Sequence, residues 1–137
     1  MRANIVFLDM LKPLGWHFTV RIHSTHEREI ESIGESSWKK MREVLREREQ
    51  LLRIDPYIQI IAYNEDSQVR LNQNKMLYAH YPDEGYEPFI DIVIKRKIPL
   101  VPDVPANIYI PQITNDVRKS CFENFQNIAR ILGLREQ

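Results

Sequence analysis

The stretch RIDPYIQIIAYNED, Arg53 to Asp66, decides how the rest of the chain is read. From Pro56 to Tyr63 it carries no charge, although charged residues crowd both flanks. In an extended chain Ile58, Ile60 and Ala62 fall on one face, and Tyr57, Ile61 and Tyr63 on the other. Only Gln59 is polar. A strand apolar on both faces belongs inside a sheet covered on each side, and such strands often run parallel to a neighbour. Pro56 marks its start, because the residue before a proline avoids helical angles and stops a helix arriving from upstream.

That upstream helix is expected from about Ser37 to Arg53. Trp38, Met41, Val44, Leu45 and Leu52 form one helical stripe, and Lys39, Arg42, Glu43, Arg46, Glu47 and Glu49 cover the rest. Lys39–Glu43 and Glu49–Arg53 are opposite charges four residues apart, worth about 0.2–0.5 kcal/mol each. Before it, WHFTVRIH (Trp16 to His23) alternates with a period of two, putting Trp16, Phe18, Val20 and Ile22 on one buried face. The intervening STHEREIESIGESS reads as a polar connection, with Gly34 as a turn and Ser36 or Ser37 as the helix cap. Strand, helix and strand from Trp16 to Tyr63 have the length of a right-handed βαβ unit.

Downstream, NEDSQVRLNQN reads as a loop and KMLYAHY (Lys75 to Tyr81) as a third strand. PDEG (Pro82 to Gly85) has turn chemistry. PFIDIVIKRKI reads as a fourth strand, paired antiparallel with the third around that turn, with Ile90, Ile92 and Ile94 facing one way. Residues 99–112 hold Pro99, Pro102, Pro105 and Pro111 and are expected as an extended crossing segment, since proline is excluded from central strands. A last helix is capped by Thr114 or Asn115, carries Val117, Cys121, Phe125, Ile128 and Leu132 on its apolar stripe, and ends at Gly133. Residues 1–15 form an N-terminal extension packed beside the first strand. The order β-α-β-β-β-α predicts a single α/β domain of thioredoxin-like plan, a mixed sheet with helices packed on it. Trp16, Phe18, Val20, Ile22, Trp38, Leu45, Ile58, Ile60, Ile90, Ile92, Phe125 and Ile128 are its expected core.

A chain of 137 residues fits one domain, with a core large enough to need no disulfide or metal. Apolar residues are 43% and charged residues 28%, an ordinary globular balance. No apolar run approaches the roughly 20 residues of a membrane helix, so no direct membrane insertion is expected. The start of the chain reads neither as a secretory signal nor as a transit peptide. The formal net charge is zero, which counts against a free-standing nucleic-acid binder but not against a domain that touches RNA through one local patch.

No catalytic constellation emerges. Cys121 is the one cysteine, so a redox pair is excluded, and its place on an apolar stripe makes it a small buried residue. Asp83, Asp91 and Lys95 resemble a metal-and-lysine nuclease site, but three residues separate Asp91 from Lys95 where that motif has one. His17, His23, His26 and His80 lack the spacing that puts two ligands on one helix face, and are expected to be exposed or hydrogen-bonding. No Gly-rich phosphate loop is present. The expected site is therefore basic rather than catalytic. Lys95, Arg96 and Lys97 form the densest cluster, and Lys39, Arg42 and Arg46 line the first helix.

IDPYIQIIAYNED, MLYAHYPDEGYEPFIDIVIK and the closing IARILG together resemble the thioredoxin-like domain shared by mitochondrial ribosomal proteins and the B-eight subunit of respiratory complex I. Asp55-Pro56 stands at that family's Asn-Pro turn, Tyr57 to Ile60 at its following strand, Asp83-Glu84-Gly85 at its acidic hairpin turn, and Ile90-Asp91-Ile92 at its return strand. The resemblance spans roughly 16–134. It implies a non-catalytic, cofactor-free structural constituent of the mitochondrial ribosome, of the small subunit, on the matrix side. Mitochondrial rRNA and neighbouring ribosomal proteins would be its partners, with Lys95, Arg96, Lys97, Lys39, Arg42 and Arg46 meeting RNA phosphates. The alternative is an accessory subunit of complex I, for which VRIHS (Val20 to Ser24) is the matching first strand.

Overall fold

Ser37 does two jobs. Its extended backbone ends a strand, and its hydroxyl accepts the Lys40 N–H (3.2 Å) to cap the helix that follows. The sequence reading placed a loop before that cap. In the computed structural model, which describes residues 3–82, 87–98 and 113–137, a full strand lies there instead. The chain opens with helix α1 (Ala3–Met10) and a short 3-10 turn (Lys12–Leu14), then strands β1 (His17–Ser24) and β2 (Ile30–Ser37). Helices α2 (Trp38–Glu47) and α3 (Glu49–Ile54) follow, then strands β3 (Ile58–Tyr63), β4 (Gln68–Leu71) and β5 (Leu77–His80). Helices α4 (Glu87–Lys95) and α5 (Asn115–Leu132) and a two-residue strand β6 (Arg135–Glu136) complete it.

The sheet runs β5-β4-β3-β1-β2-β6 and every neighbouring pair is antiparallel. The expected mixed sheet is therefore corrected to an antiparallel one, and the βαβ unit is absent. β1 and β2 form an eight-pair hairpin ladder from His17↔Ser37 to Ser24↔Ile30. That extra strand reverses the chain once more, so β3 returns antiparallel to β1 after α2 and α3. β2 escaped the sequence reading because its inward positions are filled by small residues. Ile30, Ser32 and Ser36 are buried, and Gly34 sits where an added Cβ would lie 3.0 Å from the Gly133 carbonyl oxygen. Gly34 is thus a point of close backbone approach, not a turn.

One face of the sheet carries the core. Val20 pairs with Ala62, Ile22 with Ile60, and Ile60 and Ala62 pair onward with Leu71 and Val69, all buried. α1 packs over β4 and β5, α2 against α1 and α5, and α5 over β1 and β2. The N-terminal extension was expected beside the first strand. It reaches instead across the same face to the β4–β5 end of the sheet, where Val6, Phe7, Met10, Leu11 and Leu14 join the core. The opening stretch keeps its two apolar faces. Ile61 is buried on the side away from the helices, in register with Arg21 and Arg70 on the adjacent strands.

Two further expectations are corrected. QVRL, read as loop, forms β4 in a hairpin with β5. The reversal is made by Asn72, whose side-chain oxygen accepts the N–H groups of Asn74 (3.0 Å) and Met76 (2.9 Å). EPFIDIVIK, read as a strand, is helix α4. Pro88 sits in its first turn, where backbone N–H groups have no helical acceptor and a proline costs no hydrogen bond. The helix turns Phe89 inward against Tyr81, rings stacked at 5.2 Å, while Ile90 and Ile92 are only partly buried and Ile94 is exposed. The expected hairpin between the third and fourth strands is therefore not formed. Its turn, Asp83 to Gly85, and the 99–112 segment lie outside the described residues. Trp16 was placed in the core; it is 74% exposed, one residue before β1, while Trp38 is half-buried. α5 forms as expected, with Thr114 accepting the Val117 N–H (3.2 Å) at one end and Gly133 in the left-handed region (φ 76°) at the other.

Candidate functional site

At the end of the sheet where β1 stops and β3 starts, three loops and α5 bring a polar cluster into the interior. β1 delivers Ser24 as its last inward residue, and His26 follows in the hairpin loop. Asp55 ends α3, its own N–H bonded to the Leu51 carbonyl. Cys121 faces in from α5. All four are fully buried.

A buried polar group must find partners or it costs stability, and here most do. The His26 Nδ1 and the Ser24 hydroxyl are hydrogen-bonded, and His26 Nε2 meets Asp55 Oδ2 at 2.8 Å. The other carboxylate oxygen accepts the Tyr57 N–H at 2.8 Å, closing a turn around Pro56. Lys75, from the β4–β5 loop, donates its ammonium to the Asp55 main-chain oxygen (2.8 Å), and Arg118 donates its guanidinium to the His26 carbonyl. Aromatic rings wall the imidazole, with Tyr57 at 5.1 Å, Phe122 at 6.0 Å and Phe125 at 6.2 Å. Arg118 also lies over the Tyr57 ring at 5.2 Å, which ties α5 to this corner.

The chemistry follows from burial. Ser24, His26 and Asp55 are connected in the order of a hydrolase triad, yet none has solvent contact through which a substrate would reach the hydroxyl. Burial, and then the Asp55 carboxylate, push the Cys121 thiol up to about 11, so it is protonated at neutral pH and a poor nucleophile. Burial pulls the Lys75 amine down to about 8, against the opposing pull of Asp55. The imidazole nitrogens, the Asp55 carboxylate and the Cys121 sulfur place one potential metal-ligand atom each within 4.8 Å of the other two.

The basic residues expected to act lie elsewhere. Lys39, Arg42 and Arg46 are exposed on one side of α2, where they line a shallow depression with Glu43 and Glu47. Among the described residues these three cations make no ion pair; the Lys39–Glu43 pair expected from spacing is not formed. An aromatic step adjoins them. The Arg42 guanidinium lies 5.9 Å from the Trp38 ring centre and the Lys12 ammonium 5.6 Å from it. The exposed Trp16 meets Trp38 edge-on at 6.2 Å. The Trp38 indole N–H donates to the Leu8 carbonyl (3.0 Å), which fixes the ring against α1. Lys95 and Lys97 are exposed at the end of α4, but Arg96 is half-buried and held by Asp9 of α1, its Nε 2.8 Å from the carboxylate. Among the described residues Lys95 and Lys97 make no ion pair, and Arg96 between them makes a structural one.

Of the histidines, His17 and His80 are exposed and His23 pairs with Glu29 (3.0 Å), as expected of solvent-facing or hydrogen-bonding residues. Asp91 and Lys95 lie four apart on a helix, so the strand geometry of the nuclease motif does not exist. Sequence reasoning missed Asp55 and Cys121 as partners of His26, and Trp16 with Lys12 as neighbours of the α2 cations. The one signal for the first was Asp55-Pro56, which was read only as a turn. Comparison with protein-family models, with curated proteins and with solved structures gave no match.

Proposed function

We propose that this protein is a non-catalytic structural subunit of a ribonucleoprotein, seated on RNA through the exposed side of α2. The observation that carries this is the group Lys39, Arg42 and Arg46, on one face and in no ion pair among the described residues, with an exposed Trp16 near by. Cations held in no ion pair bind phosphate without breaking one, and such contacts position a protein on RNA without reading sequence. An exposed indole next to them offers a surface on which an unpaired base stacks, worth about 1–3 kcal/mol per base. Lys95 and Lys97, exposed at the end of α4, are further candidates for phosphate contact, while Arg96 is held by Asp9.

The mitochondrial ribosome, small subunit, is the assembly that the sequence resemblance implies, with rRNA and adjoining ribosomal proteins as partners on the matrix side. The proposal leans on the surface and not on a thioredoxin-like plan, because β1 and β3 run antiparallel. Particle fractionation tests the assembly: co-sedimentation with a ribosomal subunit is expected, and co-migration with respiratory complex I would transfer the protein to the alternative. Replacing Lys39, Arg42 and Arg46 by Gln tests the surface. Each lost phosphate contact should lower the salt dependence of RNA binding by a slope of about 0.7–0.9. Trp16→Ala should weaken binding without changing that slope. Unchanged incorporation and salt sensitivity in the folded triple variant would end the proposal.

A further inference from the structure

The geometry points to a transition-metal site of the zinc class at His26, Asp55 and Cys121, an inference independent of the RNA-facing surface. Three ligands of three kinds, an imidazole, a carboxylate and a thiol, arrive from the β1–β2 loop, the end of α3 and the middle of α5. All three side chains are fully buried, and one ligand atom from each lies within 4.8 Å of the other two. In a tetrahedral zinc site with bonds of about 2.0–2.3 Å, ligand atoms stand about 3.3–3.6 Å apart. An ion bound between them would part His26 Nε2 and Asp55 Oδ2, now 2.8 Å apart, to that spacing.

The surroundings are those a metal site needs. A ligating histidine donates its other ring N–H to an acceptor that fixes the tautomer and the ring plane. With Nε2 toward the metal, His26 Nδ1 is already hydrogen-bonded to the Ser24 hydroxyl. One Asp55 oxygen is held by the Tyr57 N–H, which leaves the other, now 2.8 Å from His26 Nε2, to turn to the ion. Lys75 approaches as well, but its ammonium donates to the Asp55 main-chain oxygen and does not occupy the carboxylate. Among the described residues the Cys121 thiol has no hydrogen bond, although it is buried and aimed at the other two. Charge gives the further reason. A divalent ion with one carboxylate, one thiolate and a neutral imidazole is a neutral unit, and metal coordination is one of the few ways to bury such charges. A thiolate in the set favours zinc over magnesium or calcium, which prefer oxygen ligands alone. Water or another small donor would complete four-coordination.

The test uses the full-length chain, stripped with chelator and titrated with zinc and with cobalt(II) as a spectroscopic stand-in. One ion per chain is expected, with the visible bands of four-coordinate cobalt and a near-ultraviolet thiolate-to-cobalt charge-transfer band. Thermal stability should rise with metal concentration. Cys121→Ala is a small change in volume and is checked for folding by circular dichroism. It should abolish the charge-transfer band and weaken zinc by more than the roughly 10–100-fold that loss of an outer partner causes. Ser24→Ala should keep the band and weaken zinc within that 10–100-fold range. Absence of stoichiometric binding to the wild-type chain would overturn the site, leaving a hydrogen-bonded pair beside an inert thiol. So would cobalt spectra and zinc affinity that Cys121→Ala leaves unchanged.

Discussion

Asp55→Ala isolates the cluster's contribution to folding. The carboxylate accepts from His26 and from the Tyr57 N–H, and it is fully buried. Alanine leaves both partners without it. A buried donor stripped of its acceptor costs about 1–3 kcal/mol, and a hydrogen bond to a charged group contributes about 1.5–3 kcal/mol. The Tyr57 N–H is only part-buried and recovers some energy from water, so about 3–5 kcal/mol is expected for the whole change. With a urea slope in the usual 1–3 kcal/mol/M range, the midpoint should fall by roughly 1–5 M. Asp55→Asn is the discriminating control. Its amide oxygen still accepts from Tyr57, and its NH2 donates to His26 Nε2 once the imidazole carries its proton on Nδ1, facing Ser24. That variant should lose about 1 kcal/mol. Both melts are run with excess chelator, so that metal binding contributes nothing. A loss below about 1 kcal/mol for Asp55→Ala, or equal losses for the two variants, would refute the assignment of Asp55 as the acceptor that holds this corner together.

The sheet and its packing give two further tests. Ile60 is buried in the centre of β3, paired with Ile22 on one side and Leu71 on the other, and Ile60→Ala should cost about 2–5 kcal/mol in the same melts. A loss below about 0.5 kcal/mol would place Ile60 outside the core. Gly34→Ala would set a methyl 3.0 Å from the Gly133 carbonyl oxygen and 3.3 Å from the Leu134 Cα, so β2 or the end of α5 must shift. Overpacking of this kind costs about 1–3 kcal/mol, and a neutral or stabilising outcome would show that β2 does not approach that turn.

How far the sequence reveals this fold depends on how local the signal is. α2 and α5 were legible because a helical stripe and its caps lie within a few residues of each other. Ser37, Thr114 and Gly133 occupy the positions their chemistry predicts. β1 and β3 were legible from period and from the uncharged run. β2 was not, since Ser32, Gly34 and Ser36 face the helix layer, and small polar residues in a strand look like loop. Only the closeness of the turn after α5 explains the missing side chain at Gly34. α4 was misread for the opposite reason. Ile90, Ile92 and Ile94 alternate, but β-propensity is a statement about packing against neighbours, and the neighbours here are Tyr81 and Asp9, met by Phe89 and Arg96 seven residues apart on one helix side.

The same distinction separates the two surfaces that bear chemistry. Lys39, Arg42 and Arg46 are legible because one helix puts them together at spacings of three and four, whatever else the chain does. His26 and Asp55 lie 29 residues apart, and Cys121 comes from the last helix. Their meeting requires β1 to end beside the start of β3, which requires the antiparallel register Ser24↔Ile58. A parallel β1–β3 pair, as the sequence first suggested, would put the start of β1, not its end, beside the start of β3. Ser24 and His26 would then sit a strand's length from Asp55. The strand reversal created by β2 is therefore what builds the cluster, and the feature hardest to see in the sequence is the one on which the proposed metal site depends.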